Sequence, residues 1–396
     1  MSDVIARELR PKQSRVYTLF EIASLALAMT IVSCASNTIF PELTTQVASP
    51  LTVAIDSANA RAYLNNSNSL VEYQSQEGSL QVLDITNPAS PTLLKTQATS
   101  SFSAEMFFDA PLKRLLVANR YSATQQTTSD ALLNINVDES SADFLNVTTI
   151  AAAKDPFGIA CCDANNHLLV TSADNKLQYF DVTSADLSPT TLDLTLSFAD
   201  GSTLTGSQAS FVAISGAQAF VSRSNGGVIV LNLDELGVAG ANPIDYLITD
   251  ITSPRGLAVA GGKLYVATRE LVSNKLVDQL LVLDISTLTP NADATVAKKD
   301  KDDDKLLVVS VEVGTNPQTV IAGTSTVFVS NQGSDSVSLV SLADNSKVDV
   351  AVGDEPFGLA LYSPAGVDTH LFVCNVKADT LSVIDLSDNT VVKTYP

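Results

Sequence analysis

One short phrase returns seven times along this chain: an apolar stretch of four or five residues that closes on Asp, Asn or Ser. It reads Leu80-Gln-Val-Leu-Asp84, Ala131-Leu-Leu-Asn134, Leu177-Gln-Tyr-Phe-Asp181 and Val228-Ile-Val-Leu-Asn232 in the first four units. Leu280-Leu-Val-Leu-Asp284, Val337-Ser-Leu-Val-Ser341 and Leu381-Ser-Val-Ile-Asp385 complete the series. The closing residues lie 50, 47, 51, 52, 57 and 44 positions apart. A repeat of that length is a supersecondary unit that cannot bury its own faces and must pack on its neighbours.

Each unit carries more than this phrase. It opens on Pro-x-Gly or a relic of it, as in Asp155-Pro156-Phe157-Gly158, Ser253-Pro254-Arg255-Gly256 and Glu355-Pro356-Phe357-Gly358. Proline stops a preceding ladder and glycine lets backbones approach closely, as strands crowded around an axis require. A second apolar strand follows in every unit, such as Leu115-Leu-Val-Ala-Asn119 or Val327-Phe-Val-Ser-Asn331, and a less regular fourth follows the closing phrase. Four short strands in each of seven units predict an all-β chain: a seven-bladed β-propeller of four-stranded antiparallel blades.

These strands resemble the YVTN family of β-propeller repeats. The last unit carries the pattern most fully, through Pro356-Phe-Gly-Leu-Ala360, Phe372-Val-Cys-Asn375 and Thr380-Leu-Ser-Val-Ile-Asp385. Blade one also resembles an LVIVD repeat, through Leu80-Gln-Val-Leu-Asp-Ile-Thr-Asn-Pro88. The resemblance covers about residues 47–396. It implies the fold and leaves function open, because such propellers host both binding modules and enzymes.

The N-terminus has a different character. Arg7, Arg10, Lys12 and Arg15 precede an apolar run over residues 22–32, too short to span a bilayer comfortably. The run ends in Ile31-Val32-Ser33-Cys34, which resembles a bacterial lipobox. That resemblance implies a signal peptide over residues 1–33, cleavage, and a diacylglyceryl thioether on Cys34. Residues 34–46 then form the lipidated cysteine and a linker, with the propeller over 47–396. Ala35 in place of Asp implies, by resemblance to lipoprotein sorting, the outer membrane of the cell envelope. An ordinary secretory signal and an uncleaved anchor are the competing readings.

Charge narrows the partners. The net charge is −20, and the first 33 residues hold four basic and three acidic side chains, so the remainder carries −21. Such a surface repels phosphate backbones, which excludes sequence-independent nucleic-acid binding. Trp is absent and there are two histidines, His167 and His370, each just before a second strand in a different blade. They read as turn residues, and no multi-histidine metal centre or other cofactor site is expected. Cys-x-x-Cys-His, Gly-x-Ser-x-Gly and a phosphate-cradling glycine loop are all missing from the sequence. Cys161, Cys162 and Cys374 fall on strands and read as buried free thiols. The run Lys298-Lys-Asp-Lys-Asp-Asp-Asp-Lys305 reads as a solvated surface loop.

Beyond the signal, the chain has six arginines. Arg120, Arg223, Arg255 and Arg269 lie at second-strand ends or in the opening turn, which an antiparallel blade brings to one rim. That rim should also carry the longest second-to-third-strand loops, at residues 67–78, 121–130 and 270–279. Guanidinium groups beside long loops suit an anionic ligand or a protein partner. Pairing with neighbouring acids is the simpler alternative. The expected role is thus a lipid-anchored, non-enzymatic binding or scaffolding module that meets the membrane only through its anchor. A propeller hydrolase or lactonase acting at the channel mouth is the alternative.

Overall fold

The computed structural model describes residues 46–67, 78–99, 102–121, 130–184, 187–272, 275–291, 293 and 295–396. Cys34 and the whole leader lie outside these residues, as do 68–77 and 122–129 of two rim loops. Seven four-stranded antiparallel blades form a β-propeller, each ordered inner, second, third, outer in chain order, with one added strand on blade four. Blade one comprises Pro50–Asp56, Arg61–Asn66, Gly78–Asp84 and Thr92–Thr99, and blade two Phe102–Asp109, Arg114–Tyr121, Ala131–Asn136 and Val147–Ala151. Blade three is Pro156–Ala160, His167–Ser172, Lys176–Asp181 and Thr190–Asp193. Blade four is Ala209–Ser215, Gln218–Arg223, Val228–Asn232 and Ile244–Thr249. Blade five is Leu257–Ala260, Lys263–Val272, Lys275–Asp284 and Leu307–Glu312. Blade six is Pro317–Ala322, Thr326–Asn331, Ser336–Ser341 and Lys347–Ala351, and blade seven Pro356–Tyr362, His370–Asn375, Thr380–Asp385 and Thr390–Tyr395.

The sevenfold phrase has a specific physical cause. In every blade the residue closing the third strand accepts, through its side chain, the backbone N–H two residues on. Asp84, Asn136, Asp181, Asn232, Asp284, Ser341 and Asp385 do so over 2.8 to 3.2 Å. Asp, Asn and Ser are the short acceptors that favour this turn, so the position tolerates those three and little else. Blade two is corrected by this bond: its closing residue is Asn136, paired with Arg114, and not Asn134. The neighbouring spacings become 52 and 45 residues.

A second recurrent bond joins blades. The N–H of the residue before the inner strand donates to an aspartate just ahead of the preceding blade's third strand. Asp155 donates to Asp130 at 2.8 Å, and Glu355 to Asp335 at 3.0 Å. Ser49 donates to Asp379 at 2.6 Å, which is the same bond made across the seam between blades seven and one. Among the described residues no strand is shared across that seam. It closes by apolar packing of Val53, Leu64 and Leu83 on Phe372, Leu381 and Val383, with Cys374 buried among them.

Blades four and five interlock. The connection between the third and outer strands of blade five crosses back, and Ala297–Asp300 adds to the outer strand of blade four in parallel. Lys298 lies over the Phe198 ring at 4.2 Å, and Lys301 is 7% exposed between Glu270 and Asp302. The solvated-loop reading of residues 298–305 is corrected for its first part: Lys298, Lys299 and Asp300 belong to a fifth strand, the lysines laid over Phe198 and Tyr246, while residues 302–305 form an exposed turn. The cysteines are corrected too. Cys161 and Cys162 follow the inner strand of blade three and are joined in a vicinal disulfide, while Cys374 is a buried free thiol as expected.

Candidate functional site

The inner strands meet around the axis, and their registers align position by position. At or near the end of the second strand in six blades stands, opposite it, a proline or its replacement: Pro50, Ser103, Pro156, Ala209, Pro317 and Pro356. Two positions on stand Thr52, Glu105, Gly158, Phe211, Gly256, Thr319 and Gly358, a ring at which inner strands come close to their neighbours. Glycine suits this ring because the next blade's backbone lies against it. A Cβ on Gly256 would stand 2.3 Å from the Gln318 carbonyl oxygen, and one on Gly358 would stand 2.4 Å from that of Leu51. Blades two and four put Glu105 and Phe211 there instead.

Three phenyl rings fill the axis at the end where the inner strands begin. Phe157, Phe211 and Phe357, from blades three, four and seven, have centroids 5.1, 6.4 and 6.4 Å apart. They are 2, 6 and 3% exposed. Edge-to-face contacts at such distances add to the area they bury. Below them lies an axial cavity of about 230 Å³, walled by residues from all seven blades, Glu105 and Met106 among them.

The same rim carries the four arginines, Arg255 and Arg269 close enough to repel one another. Arg269 makes a bidentate pair with Asp278, directly across its hairpin, at 2.7 and 3.0 Å. Arg120 is 2% exposed, with its Nε 3.4 Å from Asp155 and its guanidinium 5.9 Å from the Phe157 centroid. Arg255 donates to the Gln318 side chain at 3.1 Å; Gln318 in turn donates to Gln332. Arg223 is 2% exposed in the slot where blades one, two, six and seven hold Asn. Its Nη1 donates to the Gly226 carbonyl at 3.4 Å, and no carboxylate faces it among the described residues. Burial lowers the basicity of Arg120, Arg223 and Arg255, while the bond to Asp278 raises that of Arg269. The arginines thus share a rim without all four meeting: Arg120 pairs with Asp155, Arg269 pairs with Asp278 while Arg255 lies in the field of both, and Arg223 faces no carboxylate among the described residues.

Among the described residues, blade five departs most at this rim. The stretch 270–279 is an extended hairpin and not a loop. Beyond the pair Thr268↔Gln279, where sibling hairpins end, four more residue pairs follow, up to Val272↔Lys275. Val272 and Leu276 on this arm are 47 and 57% exposed.

Both histidines begin second strands at the opposite rim, as their spacing predicts. His167 Nδ1 lies 2.7 Å from Asp163, and His370 Nδ1 lies 3.1 Å from the Thr369 hydroxyl. Sequence reasoning missed Glu105, the phenyl plug and the apolar arm. Aligning blades by their closing turns exposes the first, since only then does Glu105 fall at the glycine position.

No family model matches the chain, and no curated protein matches it. Among solved structures it is similar to the crystal structure of the computationally designed Ika8 protein, at TM-score 0.53 and 11% identity. The match covers 89% of this chain and 88% of that one. At that identity the likeness is one of fold.

Proposed function

We propose that this chain is a non-enzymatic binding and scaffolding propeller of the bacterial cell envelope. In this reading it is tethered to a membrane by lipid on Cys34 and takes a protein partner at the rim that bears the blade-five arm. The observation that carries the reading is the arm: two large aliphatic side chains, Val272 and Leu276, exposed on an extended hairpin beside the ion pair of Arg269 with Asp278. Exposed apolar groups on a projecting hairpin are costly for a monomer and useful at an interface. The hydrolase alternative needs acid and base groups converging at an open mouth. Here three phenyl rings fill that mouth, and the cavity beneath is lined by one carboxylate.

A photo-crosslinking residue at position 272 is expected to capture a discrete envelope partner. The same residue at position 238, exposed at the opposite rim, should not. With the crosslinking residue kept at position 272, Leu276→Ser should strongly reduce the adduct without lowering the melting temperature; identical adducts from positions 272 and 238 would refute the arm as the interface. The anchor is tested separately. Cys34→Ser should move the protein from the membrane to the soluble fraction, and persistence in membranes would point to an uncleaved N-terminal anchor.

A further inference from the structure

We infer that the axial cavity is a binding site for a small organic cation of the primary alkylammonium class, with Glu105 as its counter-ion. Glu105 is the one charged residue among those lining the cavity. One of its oxygens accepts the Ile159 N–H of blade three at 2.9 Å, which fixes the carboxylate across the interface between two blades. The carboxylate makes no other hydrogen bond or ion pair among the described residues. The surface it retains is that of the cavity it lines.

The remaining walls define what can sit beside it. Every other lining residue is uncharged, and Phe211 and Phe357 present aromatic surface from the plug end. Thr52 and Thr319 supply hydroxyl groups, and Met106, Ile159, Val212 and Leu359 are among the aliphatic walls. A carboxylate with aromatic faces nearby is the combination that holds an ammonium group, by direct pairing and by attraction to the ring faces. The aliphatic walls suit a short alkyl chain. A divalent metal is a poorer occupant, since it requires several oxygen ligands. No cluster of three metal-ligating side chains occurs among the described residues. Burial pushes the Glu105 carboxyl up to about 7, so it is ionised on the alkaline side of neutrality and available to pair there.

The chain offers a built-in reporter. It contains three methionines, and Met106 is the one within the propeller and on the cavity wall. With methyl-labelled methionine in the full chain, n-butylammonium chloride at pH 8 is expected to shift the Met106 methyl resonance saturably. Neutral 1-butanol should bind at least tenfold more weakly. Glu105→Gln keeps an oxygen for the Ile159 N–H and should weaken n-butylammonium binding at least tenfold. The wild-type protein gives an independent test that needs no variant. Lowering the pH from 8 to 5.5 protonates Glu105 while the amine stays charged, and should weaken binding at least tenfold. The inference is overturned if the Met106 methyl does not respond to the amine or if E105Q and wild type bind it equally. It is also overturned if 1-butanol binds as well, if binding is unchanged at pH 5.5, or if calcium chloride alone produces the shift.

Discussion

Phe372→Ala is expected to destabilise the propeller by about 3–5 kcal/mol, the usual cost of emptying a buried aromatic site. Phe372 is fully buried, and its ring is packed into the cluster that joins blade seven to blade one. Every other junction is also bridged by the chain itself, whereas this one relies on side-chain packing and a few bonds such as Ser49 to Asp379. The loss should therefore be local as well as large. Hydrogen exchange in F372A is expected to accelerate first in the strands of blades one and seven. The matching variant Phe328→Ala, which empties the corresponding site facing blade seven, should lose comparable stability without selective exposure of blade one. Chemical denaturation with exchange mapping decides the point: uniform acceleration in both variants would show that the seam is no weaker than its siblings.

The pH dependence of stability should carry the signature of Glu105. Its carboxyl is raised from an ordinary 4.5 to about 7, chiefly by burial, with the Ile159 bond pulling weakly the other way. A raised carboxyl keeps its proton in the folded chain at pH values where the unfolded chain has lost it. The folded state is then favoured most at and below pH 4.5, loses that advantage as the pH rises towards 7, and changes little beyond. The full difference is up to about 3 kcal/mol at ~1.4 kcal/mol per pH unit. Glu105→Gln removes the titration and keeps the acceptor. It should match wild type near pH 4.5 and exceed it by up to about 3 kcal/mol at pH 8. Other carboxylates titrate alike in both proteins and cancel in the comparison. Urea midpoints of the two proteins at pH 4.5, 6, 7 and 8 measure this, and parallel curves would rule out the buried charge.

The blades were legible in the sequence because each repeat solves the same two problems with the same few residue types. Third strands must end in a turn that a short side chain can cap, and inner strands must let a neighbour's backbone come close. Asp284 and Gly256 announce those demands openly. Blade two does not: it lacks Pro-x-Gly, and both Asn134 and Asn136 offer a cap. Only pairing to the second strand shows which of them closes the turn, and only that pairing shows that Glu105 faces the axis. Phe157 and Phe357 were visible beside their glycines, but an apolar residue at a strand start reads as ordinary core. Their meeting needs a closed ring, in which residues 200 positions apart become neighbours. The charged run 298–305 misled for a related reason. Composition alone assigns lysines to water, whereas here the chain doubles back and lays their stems on a neighbouring blade.

The bond from Ser49 to Asp379 has a meaning beyond holding one seam. Because the junction between the last and first blades uses the same link as two junctions within the chain, the seam keeps the hydrogen-bond geometry of its siblings and lacks only their covalent bridge. Beyond that missing bridge, the symmetry is broken among the described residues by local departures: a carboxylate in blade two, a guanidinium that faces no carboxylate in blade four and an overlong hairpin in blade five. A molecule that keeps its frame so uniform can change any one of those without renegotiating the other six blades.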